Sequence, residues 1–140
     1  MPIRKASARW QGNLTEGSGT IRTGMGEGNY SFKSRFEDGE GTNPEELIGA
    51  AHAGCFSMAL SNKLATAGFT PTSVDTTASV HLDKTDAGMT VTRIDLNTDA
   101  VVPGISKDEF DKIAEDAKAT CPISRLLSPG AEITLQANLA

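Results

Sequence analysis

The sequence predicts an α+β fold in which antiparallel sheets wrap one long central helix. Three observations carry this reading. Residues 47–60, Leu-Ile-Gly-Ala-Ala-His-Ala-Gly-Cys-Phe-Ser-Met-Ala-Leu, hold no charge and lie in a segment with its own helix cap; a helix apolar on nearly every face has to be surrounded. On both sides of it apolar residues recur with a period of two, the mark of half-buried strands. Glycines and Pro-Gly pairs punctuate those strands as turns.

In the first third, Ala6, Ala8 and Trp10 alternate with Ser7 and Arg9, and Tyr30, Phe32 and Phe36 alternate with Ser31, Lys33 and Arg35, so both stretches read as strands. Gly24-Met-Gly26-Glu-Gly28 is turn chemistry, because a phosphate-binding loop needs a helix directly after it and a strand pattern follows. The helix start is Asn43-Pro44-Glu45-Glu46. Asn43 can cap, Pro44 suits the first helical position, and Glu46 stands where a capping box puts its acid. The helix is expected to run to Ala67 and stop at Gly68, a length of about 36 Å.

From Thr72 the period returns to two. Val74, Thr76, Ala78, Val80 and Leu82 share one face, Asp86-Ala-Gly88 turns the chain, and Met89 to Val102 reads as the partner strand. Pro103-Gly104 breaks it. Ser106 and Glu109 then open a second helix, whose stripe is Phe110, Ile113, Ala114 and Ala117. Cys121 continues that stripe inward and, followed by Pro122, caps a further short helix through Leu127; Glu132 to Leu139 reads as a last strand.

Composition narrows the function. The chain of 140 residues, 38% apolar and 22% charged, suits a single domain, 1–140, with an ordinary core. A net charge of −5 argues against nucleic acid and against an anionic membrane surface. No apolar run is long enough to span a bilayer, and the first residues lack the apolar stretch of a signal peptide, so a reducing cytoplasm is the expected compartment. A structural disulfide would be unusual there.

The two cysteines, Cys55 and Cys121, both fall on faces that pattern places inside. Two readings stand. They are buried structural thiols, since free cysteine is among the most buried residue types; or they are a redox couple, one thiolate attacking an oxidant and the other condensing with the sulfenic acid. Cys121 at a helix N-terminus favours a depressed thiol pKa. His52, Cys55, Cys121 and His81 match no common zinc spacing, and no serine–histidine–aspartate set has a local signature. His52 reads as a satisfied core histidine.

The stretch Gly41-Thr-Asn-Pro-Glu-Glu-Leu-Ile-Gly-Ala-Ala-His-Ala-Gly-Cys-Phe-Ser-Met-Ala-Leu60 closely resembles the central helix of the OsmC/Ohr proteins, the osmotically inducible and organic hydroperoxide resistance proteins of bacteria. The likeness continues at Gly68 to Thr77, at Cys121-Pro-Ile-Ser124 and at Ala131-Glu-Ile-Thr-Leu135, and the Gly-Thr-Asn-Pro-Glu-Glu form is similar to the OsmC branch. The resemblance implies an OsmC-like domain in an intertwined homodimer with active sites at the interface. It implies a thiol peroxidase without metal or flavin that reduces organic hydroperoxides to alcohols. Cys55 matches the peroxidatic cysteine and Cys121 the resolving one, joined as an intramolecular disulfide. Arg35 matches an arginine that holds the thiolate, and Glu46 the acid that steers it. The donor it implies is an external dithiol such as a lipoyl protein.

Two points come from the residues themselves. The charge-free helix has no polar face, so a symmetric partner covering what one chain leaves open is the economical solution. Glu46 and Cys55, on one helix, face opposite sides and stand about 13 Å apart along its axis, so Glu46 and Arg35 are expected to serve the partner's cysteine. Phe56, Met58, Leu126 and Leu127 are candidates to favour an alkyl peroxide. The rival readings are a stress-induced dimer that binds a small apolar ligand without catalysis, and a thiol redox sensor.

Overall fold

A computed structural model describes all residues, Met1–Ala140. Six strands and four helices follow one another as β1 (Ser7–Gln11), β2 (Ser18–Thr23), β3 (Gly26–Tyr30), α1 (Phe32–Phe36), α2 (Pro44–Thr66), β4 (Ser73–Thr85), β5 (Gly88–Val101), α3 (Lys107–Thr120), α4 (Pro122–Leu127) and β6 (Glu132–Leu139). The strands form two three-stranded sheets, β1-β2-β3 and β4-β5-β6. The α+β class and the long helix are as the sequence predicts. Contacts group into two compact units, Met1–Leu47 and Ile48–Ala140.

In the first unit β1, β2 and β3 form an antiparallel meander. Gly19 lies between the rings of Trp10 and Tyr30, whose centroids are 5.3 Å apart; a Cβ there would come within 2.4 Å of the tyrosine ring. The alternation at 30–36 does not continue as a strand. Ser31 and Ser34 cap each other reciprocally and start α1, a single helical turn. Phe32 and Phe36, four residues apart, then meet with tilted rings whose centroids are 4.9 Å apart, so the spacing that mimics a strand also fits one helical face. Arg35 consequently sits on a helix and not on the polar side of a strand.

Asn43 caps α2 through its side-chain oxygen, which accepts the Glu46 N–H at 2.8 Å. The helix ends one residue before the expected Ala67. The chain leaves it through Gly68 at φ +94°, with the Phe69 N–H returning to the Leu64 carbonyl.

In the second unit β4 and β5 are a long antiparallel ribbon with a bulge between His81 and Leu82. The strand β6 pairs parallel to β5, which the expectation of purely antiparallel sheets misses. The connection explains it: α3 and α4 carry the chain back across the sheet before β6 begins, and such a crossover delivers a parallel strand. The core is Phe56, Leu60 and Leu64 of α2 against Ile94, Leu96 and Ala100 of β5 and Phe110, Ala114 and Ala117 of α3. Gly49 lets α2 approach the sheet, since a Cβ there would lie 3.4 Å from both the Ala78 carbonyl oxygen and the Val80 side chain. Deeper in, Ser57 donates to Thr76, which shares a hydrogen bond with the buried Thr98. These contacts fix the rotation of α2, and with it the face on which Cys55 stands.

Candidate active site

Cys55 lies in the middle of α2 and Cys121 between α3 and α4. Both are free thiols, and their sulfurs stand 3.0 Å apart. They differ in access: Cys121 is buried at 1% exposure, whereas Cys55 is half-buried. A molecule arriving from outside meets Cys55 first.

They also differ in electrostatics. Cys121 is the N-cap of α4, and its sulfur accepts the Ser124 N–H at 3.5 Å. Burial works against its thiolate, but the Cys55 thiol, the Ser124 amide and hydroxyl and the Ile123 amide together outweigh burial and lower its pKa. Burial and then the adjacent Cys121 push the Cys55 thiol up, against a single backbone hydrogen bond from Ile123. Within one chain, therefore, the environment disfavours the thiolate at the more accessible sulfur and favours it at the buried one.

The other predicted site residues, Arg35 and Glu46, lie in the first unit. Arg35 makes a bidentate ion pair, Nε and Nη2 meeting Glu45 Oε1 at 3.1 and 2.7 Å. The Glu45 side chain is only 10% exposed, so the pair is fixed in place. The guanidinium also lies 5.3 Å from the centre of the Phe36 ring. The acid at the arginine is thus Glu45 and not Glu46. Capping logic selects Glu46 because its N–H meets Asn43, yet its side chain is exposed. One residue earlier on a helix means a turn of about 100°, and that directs Glu45 inward onto Arg35. The signal available in sequence was the pair of adjacent acids, Glu45-Glu46, of which only one can face α1.

Beside the arginine is a cleft of about 280 Å³ lined by Trp10, Leu14, Tyr30, Phe32, Arg35 and Phe36. The apolar residues singled out in sequence behave differently: Phe56 is wholly inside the core, Met58 and Leu126 are exposed, and Leu127 is half-buried. Of the other histidines and cysteines considered as ligands, His52 meets Ser124 and His81 pairs with Asp95 at 2.7 Å.

The family model described as OsmC-like protein matches residues 37–136, and the chain belongs to that family. It is 55% identical to the peroxiredoxin OsmC of Escherichia coli (strain K12) over 139 residues, covering 97% of this chain and 96% of that one. It is 30% identical over 97 residues to the organic hydroperoxide resistance protein OhrA of Bacillus subtilis, covering 68% of this chain and 66% of that one. Among solved structures, an organic hydroperoxide resistance protein OsmC from Legionella pneumophila superposes with a TM-score of 0.72 at 20% identity, covering 99% of both chains. An OsmC-like protein from Mycoplasma pneumoniae gives 0.75 at 18% identity, covering 99% of this chain and 98% of that one. At such identities these two show the fold alone. No helix is long and apolar enough to cross a membrane.

Proposed function

We infer that the protein is a peroxidase of hydroperoxide resistance and propose that it reduces organic hydroperoxides through its two cysteines. The observation that carries this is the pair of free sulfurs 3.0 Å apart, one half-buried and one buried. The Cys55 thiolate attacks the distal oxygen of ROOH; the S–O bond forms, the O–O bond breaks, and the alkoxide leaves as ROH after taking a proton. Cys121 then attacks the sulfenic sulfur, an S–S bond replaces the S–O bond, and water departs. An external dithiol, a lipoyl protein being the chemistry the family suggests, returns both thiols by two exchange steps and becomes a disulfide itself. The steps use no metal or flavin.

Arg35 and Glu45 complete the site. The guanidinium favours the thiolate on Cys55, and Glu45 aims the guanidinium. They do so from a second copy of the chain. Ten residues of α2 separate Glu45 from Cys55, roughly 15 Å of helix rise, too far for a pair fixed at the helix start to serve its own cysteine. A homodimer is supported by the exposed side of α2, where Ala50, Ala51, Gly54 and Met58 present apolar surface. The aromatic cleft beside Arg35 suits the organic part of ROOH better than it suits hydrogen peroxide.

Consumption of an alkyl hydroperoxide with a small dithiol donor tests this reading. The parent protein is expected to turn over many times and Cys55→Ser not at all. A parent that is oxidised once without turnover would favour a redox sensor, and one that never consumes peroxide would favour a ligand-binding dimer.

A further inference from the structure

The disulfide that the proposed cycle forms has to be opened again by an incoming thiolate, and it offers two sulfurs. Exchange attacks one of them and expels the other, so the surroundings of each decide the direction. In the reduced chain the sulfurs are 3.0 Å apart, and closing the bond takes an approach of only about 1 Å. Each sulfur therefore keeps much the same neighbours when the bond is made.

Access separates the two sulfurs first. Cys121 is 1% exposed within a single chain, between α3 and α4, and belongs to one core with Phe110, Ala114 and Ala117. A second copy of the chain adds cover and removes none, so Cys121 stays closed in any assembly. Cys55 is half-buried. A thiolate aimed at Cys121 meets almost no surface of that residue, and one aimed at Cys55 does.

The departing position separates them again. A sulfur that leaves becomes a thiolate and needs donors around it. The Ser124 N–H already donates to the Cys121 sulfur at 3.5 Å. That amide is held from several sides. The Arg125 N–H bonds the Cys121 carbonyl at 3.0 Å, the Ser128 N–H bonds the Ser124 carbonyl at 2.8 Å, and the Ser124 hydroxyl meets the buried His52 at 2.7 Å. Cys55 stands in the middle of α2, where the amides around it are taken by carbonyls one turn earlier. Burial disfavours a thiolate on Cys121, yet its neighbours lower its pKa all the same, whereas burial raises that of Cys55. The lower pKa marks the better leaving group.

We infer that the reducing thiol enters at Cys55 and that Cys121 is the leaving sulfur, received by the Ser124 N–H at the start of α4. This deepens the two-cysteine peroxidase reading and rests on it. The donor thiolate forms an S–S bond to Cys55, the Cys55–Cys121 bond breaks, and its electron pair departs on Cys121. The second thiol of the donor, having lost its proton, attacks the donor's own sulfur in the mixed disulfide. A disulfide closes within the donor, and Cys55 returns as a thiolate. One opening, at Cys55, thus serves both the peroxide and the donor.

The test takes the parent protein oxidised with diamide, which needs no peroxide. It is exposed briefly to limiting 2-mercaptoethanol, quenched in acid, unfolded, capped with N-ethylmaleimide and mapped by peptide mass. The mercaptoethanol adduct is expected on Cys55 and the maleimide on Cys121, in roughly tenfold excess over the reverse. An adduct mainly on Cys121, or shared equally, overturns the inference. Ser124→Pro removes the N–H at the leaving sulfur, and Ser124→Ala keeps it while both lose the hydroxyl. Reduction of the oxidised protein is expected to be about threefold or more slower in Ser124→Pro than in Ser124→Ala, and equal rates overturn the part given to the amide. Should Ser124→Pro not fold, the thiolate absorbance of the Cys55→Ser protein decides that part: a Cys121 midpoint below the ordinary value of about 8.5 is expected, and one at or above it overturns the assignment. Absence of a Cys55–Cys121 disulfide after diamide would overturn this inference together with the two-cysteine reading. Absence of peroxide turnover alone would sink the peroxidase reading and leave the adduct map standing.

Discussion

At the scale of single residues, the surroundings of the two cysteines set them apart. Cys55 and Cys121 have the same chemistry, yet one is half-buried with its thiol pKa pushed up by burial, and the other is buried with its pKa pulled down by the amides and hydroxyl at the start of α4. His52 adds a pH signature of its own. Its folded pKa is lowered from 6.5 by burial, so between that value and the lower folded one the unfolded chain binds more protons than the native chain. The sign follows: this contribution is present above the unfolded pKa and is lost as the pH falls through the folded one. Urea denaturation midpoints should therefore fall as the pH is lowered from about 7 to about 5.5, and His52→Gln should flatten that slope. An equal slope in both proteins would mean that another group titrates there.

At the scale of elements, most of what positions the site was legible in the sequence, and what was missed has identifiable causes. Asn43-Pro44, Gly68, Ser106 and Cys121-Pro122 mark helix ends by local chemistry, and the helix bounds follow them within a residue or so. Residues 30–36 were misread because five helical residues are too few to show a period of 3.6, and the decisive contact is a reciprocal pair of serine hydroxyls. Glu45 was missed because capping rules describe the backbone of a helix start and say nothing of which acid finds a cation ten residues earlier in the chain. The parallel partner of β5 was invisible because period two is common to both kinds of sheet. The loop that sets the start of α2 has a sharp requirement at Gly41, whose φ is +109° and whose Cβ would lie 2.3 Å from the Asn29 carbonyl oxygen. Gly41→Ala is expected to cost about 2 kcal/mol or more in unfolding free energy. A loss within a few tenths of a kcal/mol would show that the loop yields easily.

At the scale of the molecule, the chain leaves α2 covered on the side of the core and bare on the other. Gly54, next to Cys55, meets nothing within 4 Å of where its Cβ would stand. In a single chain Gly54→Leu replaces a poor helix former by a good one in open space and should stabilise by roughly 0.5–1 kcal/mol. In a dimer whose central helices meet along this side, the same leucine collides with the partner. Sedimentation is expected to show a dimer for the parent and dissociation for Gly54→Leu, and a parent that sediments as a monomer would remove the basis for a site shared between copies.

The account rests centrally on Cys55 being attacked from outside and Cys121 closing on it within the same chain. Peptide mapping of the protein after treatment with one equivalent of an alkyl hydroperoxide, under non-reducing conditions, tests this most directly. The expected product is a single chain in which the Cys55 and Cys121 peptides are linked, with Cys121→Ser leaving a trappable sulfenic acid on Cys55. Covalent dimers, or a sulfenic acid that accumulates on Cys121 while Cys55 stays reduced, would contradict it.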